Sequence, residues 1–344
     1  MPESGVFPSN CWYIAGWSDE VAERPLARTI AGLPMVLFRA GGAVAALEDR
    51  CCHRSLPLSL GKIVGAHLQC GYHGLEFDTT GACVRVPGQG TVPPGARVPH
   101  YSVAERWGLI WVWPGEAQAD PALIPDFHWF DSPGWVAPHG YFHVKTNYLR
   151  IIDNLLDFNH LQFVHLRTIG NDAIADIPSK TRRTERGLEQ TRWVMDRPPP
   201  PLFQRAGGFN GNVDRWMNVN YTLPSNCVFD IGCAAAGTGA PEGDRSKGIE
   251  IRSMHAISPE TATTAHYFWG YGRNFKIDDA ATTELLRTGA RATFTEDVEL
   301  LEAQAAAYAR IGDRPEIDIM GDAAPLQARR MVDEMIARDA QKAA

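Results

Sequence analysis

The sequence predicts an α+β protein of two domains, an N-terminal all-β domain over residues 1–118 and a domain of antiparallel sheet plus helices over residues 119–344. Three observations support this prediction. Short apolar runs separated by turns fill the first third of the chain, and longer strand-like and helical runs fill the rest. A proline-rich stretch lies between the two patterns, as in a linker. The 344 residues, 44% of them hydrophobic, are ample for two packed cores.

Turn signals divide the first domain into short strands. Gly41-Gly42 is typical of a hairpin, and Asp78-Thr79-Thr80-Gly81 is typical of another turn. The run Leu109-Ile110-Trp111-Val112-Trp113 is apolar throughout and ends at Pro114-Gly115, which indicates a buried strand. The predicted strands are residues 35–38, 43–47, 75–77, 83–85 and 109–113.

The pattern changes after the linker at residues 116–140, which contains four prolines. Longer strand-like runs follow and predict one antiparallel sheet. The predicted strands are residues 141–145, 216–223, 227–234, 249–257 and 264–271. Residues 280–310, rich in Ala, Leu and Glu, predict a long helix, and residues 325–338 predict a last one.

Composition argues against several classes of partner and location. A net charge of −7 without a basic run disfavours nucleic acid and anionic membrane surfaces. No apolar stretch approaches the roughly 18 residues of a spanning helix, and the N-terminus resembles no secretion signal. Seven cysteines without such a signal are typical of a reduced compartment, where thiols bind metals or stay free. We therefore expect a soluble, cytoplasmic protein.

Two short motifs each offer one thiol and one imidazole. Cys51-x-His53 is followed, after sixteen residues, by Cys70-x-x-His73. These four donors suit either a tetrahedral zinc ion or a Rieske 2Fe–2S centre, in which the cysteines bind one iron and the histidines the other. A structural zinc finger usually keeps its cysteine pair and histidine pair apart. The mixed pairs therefore favour the iron–sulfur cluster.

A second motif runs from Asp153 to His165. On a helix, Asp153, Asp157 and His160 share one face, because they are spaced i, i+4, i+7. His165 lies about 140° away from His160 on a regular helix. The two histidines can therefore bind one metal only if the helix ends or bulges between them. The alternative is an amphipathic core helix with polar residues at its edge.

The long helix offers a third donor. Two histidines need a carboxylate to form a facial triad that leaves other iron positions open. Asp297 follows Phe294 by three residues and shares its apolar face. Glu296 and Glu299 lie about 200° and 140° from Phe294 and are predicted to face water. Alternatively, a local arginine such as Arg291 pairs with Asp297.

These motifs resemble those of the Rieske non-haem iron oxygenases, and the similarity extends nearly end to end. Cys51-x-His53-Arg54 with Cys70-x-x-His73-Gly74 resembles the cluster motif of the family, and Asp153-x3-Asp157-x2-His160-x4-His165 resembles its mononuclear iron motif. Within the family, the sequence most resembles the oxygenase components of vanillate O-demethylase and then of dicamba demethylase. Cys52 stands where the family has proline, without changing the ligand spacing, and is expected to be a free thiol.

The resemblance implies a Rieske domain over residues 1–118 and a helix-grip catalytic domain over residues 119–344, with a 2Fe–2S Rieske cluster and a mononuclear Fe(II). The implied cluster ligands are Cys51, His53, Cys70 and His73, and the implied iron ligands are His160, His165 and Asp297. A separate NADH-dependent flavin and 2Fe–2S reductase would supply electrons. In an implied homotrimer, Asp157 would link His73 of a neighbouring subunit to His160. Alternatively, Asp157 only orients His160.

The implied reaction is a monooxygenation. A small methoxylated aromatic acid such as vanillate would be O-demethylated with O₂, releasing formaldehyde. Protonated His255 is expected to bind the substrate carboxylate or phenol, although a buried, backbone-satisfied histidine is an alternative. Asp230, on the neighbouring strand, is expected to orient His255 or meet a phenolic hydroxyl. Competing hypotheses are hydroxylation of another aromatic substrate, an electron carrier with an inactive second domain, and a helix-grip binding module with structural zinc.

Overall fold

The computed structural model describes residues 7–171, 174, 176–312 and 314–343. The described chain divides into two compact units. The first comprises the chain up to Ile124 together with Ser258–Ala262 and the residues from Ile336, and the second comprises Pro125–Ile257 and Thr263–Met335. The domain boundary at residue 118 stays a prediction. None of the described helices combines the length and the apolar composition that a bilayer crossing requires.

The first unit is built from two antiparallel sheets. Its strands are β1 (Tyr13–Trp17), β2 (Leu26–Ile30), β3 (Leu33–Ala40), β4 (Ala43–Glu48), β5 (Lys62–Val64), β6 (His67–Gln69), β7 (Glu76–Phe77), β8 (Cys83–Arg85), β9 (His100–Arg106) and β10 (Leu109–Trp113). Six strands form a sheet in the order β1-β10-β9-β4-β3-β2, and four form a sheet in the order β5-β6-β7-β8. All five residues of β10 are buried, as its apolar run predicts.

The two ligand motifs lie in loops at the ends of these strands. One loop follows β4, and the other joins β6 to β7. Cys51 and Cys70 belong to a buried apolar cluster that includes Phe38, Leu68 and Phe77. The loops are therefore anchored at their cysteines by the core between the sheets.

The second unit is one large antiparallel sheet with helices. Its elements are β11 (His139–Val144), α1 (Tyr148–Leu156), α2 (Leu161–Val164), β12 (Lys180–Arg183), β13 (Gly187–Arg197), α3 (Pro201–Gly207), β14 (Val213–Thr222), β15 (Asn226–Ala235), β16 (Gly248–Pro259), β17 (Ala265–Arg273), α4 (Ala280–Ile311) and α5 (Ala323–Ala343). The seven strands are ordered β11-β17-β16-β15-β14-β13-β12.

Helix α4 covers one face of the sheet. Its residue Phe294 makes ring contacts with His255 on β16 and with Tyr267, Trp269 and Tyr271 on β17. These strand residues all have odd numbers, because side chains alternate between the two faces of a strand. The odd-numbered face of β14 to β17 therefore forms the floor on which the candidate site is built.

The predicted fold class is confirmed, with some elements missed. The helix predicted at residues 280–310 is α4, and the helix predicted at residues 325–338 is the longer α5. The hairpin of β12 and β13 and the short helix α3, which begins at Pro201, were not among the predicted elements. Proline fits the first turn of a helix, because no hydrogen-bond acceptor is available there for its missing N–H.

Candidate metal centres

The two thiol–imidazole loops of the first unit have the same backbone form. The Ser55 amide donates to the Cys51 carbonyl at 2.9 Å, and the Gly74 amide donates to the Cys70 carbonyl at 3.1 Å. The fourth residue after each cysteine has a positive φ, 57° at Ser55 and 73° at Gly74. In each loop the cysteine is buried and the histidine is exposed. The loops therefore present their donors in matching arrangements.

Like donors are paired across the two loops. The rings of His53 and His73 have centroids 4.6 Å apart. Burial and the neighbouring Cys70 thiol raise the pKa of Cys51 to about 11, although a backbone hydrogen bond at His53 lowers it. A metal cation beside these thiols would favour their ionised form.

The pairing of like donors favours two metal ions over one. In a tetrahedral zinc site a single ion is bound by all four ligands. One thiol pair and one imidazole pair instead suit two irons, each held by two like ligands. Cys52 is exposed and is not in a disulfide.

The second motif is interrupted before its first histidine. Helix α1 ends at Leu156, and the amide of Asp157 donates to the carbonyls of Asp153 and Asn154 at 3.0 and 3.2 Å. His160 immediately precedes α2, and His165 immediately follows it. The spacing suggested that Asp153, Asp157 and His160 share one helix face, but of these only Asp153 lies within α1. Helix α2 ends at Val164, between the two histidines, as two histidines on one metal require.

Three donor atoms converge in the second unit. His160 Nε2 lies 3.2 Å from His165 Nε2, and Asp297 Oδ1 lies 3.0 Å from His165 Nε2 and 3.5 Å from His160 Nε2. Two imidazole nitrogens that face each other share at most one proton, whereas a metal ion satisfies both of them and the carboxylate together. The arrangement fits a metal held by two histidines and one carboxylate.

The surroundings keep Asp297 ionised. Burial raises its pKa, but the hydrogen bonds and charges of His160 and His165 outweigh burial and hold the pKa of Asp297 well below its usual range. A bound metal cation acts in the same direction. The Asn154 amide donates to Asp297 Oδ1 at 3.1 Å. Arg291, the alternative partner considered for Asp297, instead lies over the ring of Phe142.

Glu296 does not face water, so that prediction was wrong. Its Oε2 lies 2.7 Å from His165 Nδ1 and accepts a hydrogen bond from Thr168 Oγ1 at 3.1 Å. Helical phase directs Glu296 away from Phe294, but the segment that carries His165 and Thr168 packs against that side of α4. A carboxylate on Nδ1 fixes the proton there and leaves Nε2 for a metal.

The three donors lie at an apolar cavity of the second unit. Its walls are formed by α1, the α2 segment, the odd-numbered face of the sheet and α4. They include Leu155, Phe158, Met217, Phe229, Ile231 and Phe294. The cavity therefore offers a flat, apolar molecule a place next to a metal site.

His255 lines this cavity but does not carry the expected positive charge. Its Nε2 lies 2.8 Å from Ser253 Oγ, and its Nδ1 lies 2.6 Å from the Tyr267 hydroxyl. Burial lowers the pKa of His255 to about 3, although the nearby Asp297 charge opposes this. His255 is therefore neutral near pH 7, and both ring nitrogens already have partners.

The structure contradicts the expected pairing of Asp230 with His255. Asp230 accepts hydrogen bonds from Trp216 Nε1, Asn218 and Arg245 at 3.0–3.2 Å. The register pairs Asp230 with Arg252, three positions from His255. An odd offset puts the two side chains on opposite faces of the sheet. Asp230 therefore lies outside the cavity, on the other face of the sheet.

Asp157 lies beside His160. Its Oδ1 accepts a hydrogen bond from the Asn159 amide at 2.7 Å, and its Oδ2 lies 3.9 Å from His160 Nδ1. That distance is too long for a hydrogen bond. His160 Nδ1 is buried and has no hydrogen-bond partner in the described part of the chain. The carboxylate of Asp157 therefore lies next to an imidazole nitrogen that has no hydrogen-bond partner among the described residues.

Together, the paired thiol–imidazole loops and the two-histidine–carboxylate site define a class of protein with an iron–sulfur centre and a mononuclear non-haem iron site. Comparison with known proteins agrees. Residues 11–101 match the Rieske [2Fe-2S] domain, and residues 144–338 match the vanillate O-demethylase oxygenase C-terminal domain.

Relatives match nearly the whole chain. The iron-sulfur subunit of the toluene-4-sulfonate monooxygenase system of Comamonas testosteroni is 41% identical over 338 residues, covering 96% of this chain and 97% of that protein. The vanillate O-demethylase oxygenase subunit of a Pseudomonas species is 37% identical over 345 residues, which cover 98% of this chain and 97% of that protein. The crystal structure of dicamba monooxygenase with non-haem iron and dicamba superposes with a TM-score of 0.84 at 35% identity. The superposition covers 98% of this chain and 99% of that one.

The chain therefore belongs to the Rieske non-haem iron oxygenases and is an oxygenase component of a multicomponent system. Its cofactors are a Rieske 2Fe–2S cluster and a mononuclear non-haem iron. The predicted family and cofactors are confirmed.

Proposed function

We propose that this oxygenase component O-demethylates a small methoxylated aromatic acid, vanillate or a close analogue. The observation that supports this most directly is the apolar cavity that contains His160, His165 and Asp297. An aromatic ring fits its walls of Phe158, Phe229 and Phe294. A relative named vanillate O-demethylase shares 37% of its residues over nearly the full length.

The same proposal assigns the ligands. Cys51, His53, Cys70 and His73 hold the Rieske cluster, and His160, His165 and Asp297 hold the iron. When bound, the iron activates O₂, and the cluster delivers electrons to it one at a time. Glu296 holds His165 in position, and Asn154 does the same for Asp297. The apolar walls keep water away from the reacting methyl group.

The overall stoichiometry follows from the proposed reaction. One aryl methyl ether and one O₂ give one phenol and one formaldehyde, and the second oxygen atom leaves as water. Two electrons and two protons are required, and NADH supplies the electrons through a separate flavin and 2Fe–2S reductase. The names of the relatives, each a subunit of a larger system, support such a partner.

Asp157 is proposed to connect two subunits. In this proposal the chain forms a homotrimer, and Asp157 bridges His160 to His73 of a neighbouring subunit. His160 Nδ1 has no hydrogen-bond partner among the described residues and lies near the Asp157 carboxylate, which supports the contact between Asp157 and His160. His73 is exposed at the tip of its loop, which supports the other half. Heterologous contacts of this kind form a ring when the rotation between neighbouring subunits closes.

A second candidate function is monooxygenation of an aromatic sulfonate. One observation favours it: a relative at 41% identity is a subunit of a toluene-4-sulfonate monooxygenase system. Both candidates place an anionic single-ring aromatic in the same cavity. They differ in the bond that is oxidised and therefore in the product.

Turnover with a reductase tests the proposal. Purified oxygenase, a Rieske-system reductase, NADH and O₂ would be incubated with vanillate, and in parallel with toluene-4-sulfonate. We expect vanillate to yield equal amounts of formaldehyde and protocatechuate. Hydrogen peroxide without formaldehyde, or a ring cis-diol, contradicts demethylation. A hydroxylated sulfonate with no formaldehyde from vanillate supports the second candidate instead.

A further inference from the structure

A buried arginine with unsatisfied hydrogen-bond donors lines the cavity. Arg215 on β14 is 2% exposed, and it is one of the residues that form the cavity wall. Its Nε and Nη1 atoms are buried and have no hydrogen-bond partner among the described residues. The ring of Phe203 lies 5.6 Å from its guanidinium carbon and packs against it.

An unpaired guanidinium in such a place needs a compensating anion. Burial lowers the pKa of Arg215, yet arginine keeps its proton because its ordinary value is far above neutral. The residue opposite it on β15 is Cys233, a buried thiol whose pKa burial raises to about 12, so it supplies no negative charge. An isolated buried charge raises the free energy of the folded state. An anion that enters the cavity can offset this unfavourable free energy.

A second unpartnered donor stands near the first. The Tyr271 hydroxyl is buried, lines the same cavity and has no partner in the part of the chain that the structure describes. Burial raises the pKa of Tyr271 even though the charge of Arg215 lowers it, so the hydroxyl keeps its proton. Arg215 and Tyr271 both project from odd-numbered positions of the sheet, as do Met217 and Ile231, which line the same cavity.

We propose that Arg215 and Tyr271 form an oxyanion subsite that binds the carboxylate or sulfonate of a single-ring aromatic substrate. This inference rests on the proposed function, because it concerns how the substrate lies in the same cavity. Arg215 offers forked N–H donors that can bind two oxygens of a planar carboxylate or of a tetrahedral sulfonate. The Tyr271 hydroxyl adds a third donor. These two residues take the anion-binding role that was expected of His255, because His255 is neutral and both of its ring nitrogens already have hydrogen-bond partners.

The sheet register orients the substrate. Arg215 lies opposite Cys233, and His255 lies opposite Cys227, so six residues of β15 separate them, on the order of 20 Å along the strand. The ring of Phe294, which precedes Asp297 by one turn of α4, lies 4.9 Å from the ring of His255, which places the metal donors toward the His255 end. The anion therefore binds at the far end from the metal, and the opposite edge of the ring, with its methyl or methoxy group, points toward the iron.

Binding measurements on the holoenzyme test this subsite separately from turnover. Calorimetry without O₂ would use vanillate, toluene-4-sulfonate and the neutral analogue vanillyl alcohol. We expect the wild type to bind at least one anion roughly tenfold or more tightly than the alcohol. In Arg215→Gln, the affinity for that anion falls roughly ten- to a hundredfold, and the affinity for the alcohol stays unchanged. Whichever anion binds more tightly identifies the oxyanion group.

Matched variants exclude a general structural effect. Arg252→Gln alters an arginine on the other face of the same sheet, paired with Glu250, and should bind all three compounds as the wild type does. Arg215→Gln removes an unpaired buried charge, so its melting temperature should not fall. Tyr271→Phe is the second variant, and it should weaken the anion alone by several-fold.

Two results overturn the subsite. One is unchanged anion affinity in both Arg215→Gln and Tyr271→Phe, and the other is an equal loss for the anion and the alcohol. Formaldehyde release combined with either result leaves the demethylation proposal standing and removes the subsite. If anion binding depends on Arg215 but vanillate yields no formaldehyde, the subsite stands and the demethylation proposal is contradicted.

Discussion

At the scale of single residues, His165 is held at both ring nitrogens. Nε2 faces Asp297 and His160, and Nδ1 lies 2.7 Å from Glu296 Oε2. The pKa of His165 is lowered by burial but raised by the hydrogen bonds and charges of Asp297 and Glu296, and the net direction is upward. A ring fixed in this way meets a metal with no freedom to rotate. Glu296 is therefore a positioning residue for the proposed iron ligand.

Glu296→Ala is expected to weaken iron binding. The carboxylate that orients His165 is lost, and such partners typically contribute ten- to a hundredfold in metal affinity. Iron titration of apoprotein, followed by the spectroscopic signal of the mononuclear site, measures the change. The Rieske absorbance should stay unchanged, because Glu296 lies in the second unit.

Glu299→Ala is the control for this variant. Glu299 lies on the same helix one turn away and is exposed, so its removal should leave iron affinity as in the wild type. Equal iron affinity in Glu296→Ala and Glu299→Ala would show that Glu296 does not position His165.

Site residues could be predicted from the sequence where the signal lay within one element, and were missed where it depended on a contact between two segments. Asp297 was found because a carboxylate on the apolar face of its own helix is visible in the helical period. Glu296 was missed because its partner belongs to another segment, which no local period reveals. Arg215 had a visible signal: in Val213–Thr222 the odd positions are Val, Arg, Met, Val and Tyr, so a charge stands in the apolar register.

At the scale of secondary-structure elements, the end of α1 before His160 and the end of α2 before His165 shape the metal site. Gly170 holds the segment after α2 against it, because its amide donates to the His165 carbonyl at 2.8 Å. A Cβ at Gly170 would lie 2.2 Å from the Leu161 carbonyl oxygen and 2.9 Å from that of His165. Only glycine permits the chain to turn back this closely.

Gly170→Ala is expected to lower both stability and iron occupancy. The added methyl group must push α2 away, which costs on the order of 1–3 kcal/mol and displaces His165. Thermal unfolding and iron analysis check the two effects. Gly211→Ala is the matched control, because nothing lies within 4 Å of its Cβ position. Full iron occupancy in Gly170→Ala would contradict the role of this close packing.

Element types were more predictable than their pairing. The long helix and most strands follow from composition and period, which are local properties. The expected Asp230–His255 pair failed because it depends on register, and a shift of one residue reverses the face of a side chain. The aligned strands place Asp230 opposite Arg252. No pattern within either strand specifies that alignment.

At the scale of the whole molecule, the account joins two metal groups through neighbouring subunits. The sequence motifs suggested both metal groups, and matches over most of the chain support them. The association of subunits stays a prediction, because a single chain specifies only the surfaces that would meet. Asp157 is the residue on which that prediction depends.

Asp157→Asn is expected to retain both metal groups but to slow electron transfer. The side-chain oxygen of the asparagine can still accept a hydrogen bond from the Asn159 amide, whereas the charge-assisted bonds proposed between Asp157 and the two histidines would be lost. Single-turnover mixing of reduced enzyme with O₂ and substrate should show slow oxidation of the cluster. Asp278→Asn, at an exposed position, should behave as the wild type. Cluster oxidation at the wild-type rate in Asp157→Asn would rule out the bridge.

The most direct test of the central claim, that one chain carries a Rieske cluster and a separate catalytic iron, is metal analysis of anaerobically purified protein beside Asp297→Ala. The account predicts about three irons and two labile sulfides per chain in the wild type. In the variant it predicts about two irons, with the Rieske electron paramagnetic signal unchanged. Two irons in both proteins would indicate an electron carrier with an inactive second unit. Zinc in place of the third iron would indicate a structural site, and either result would contradict the account.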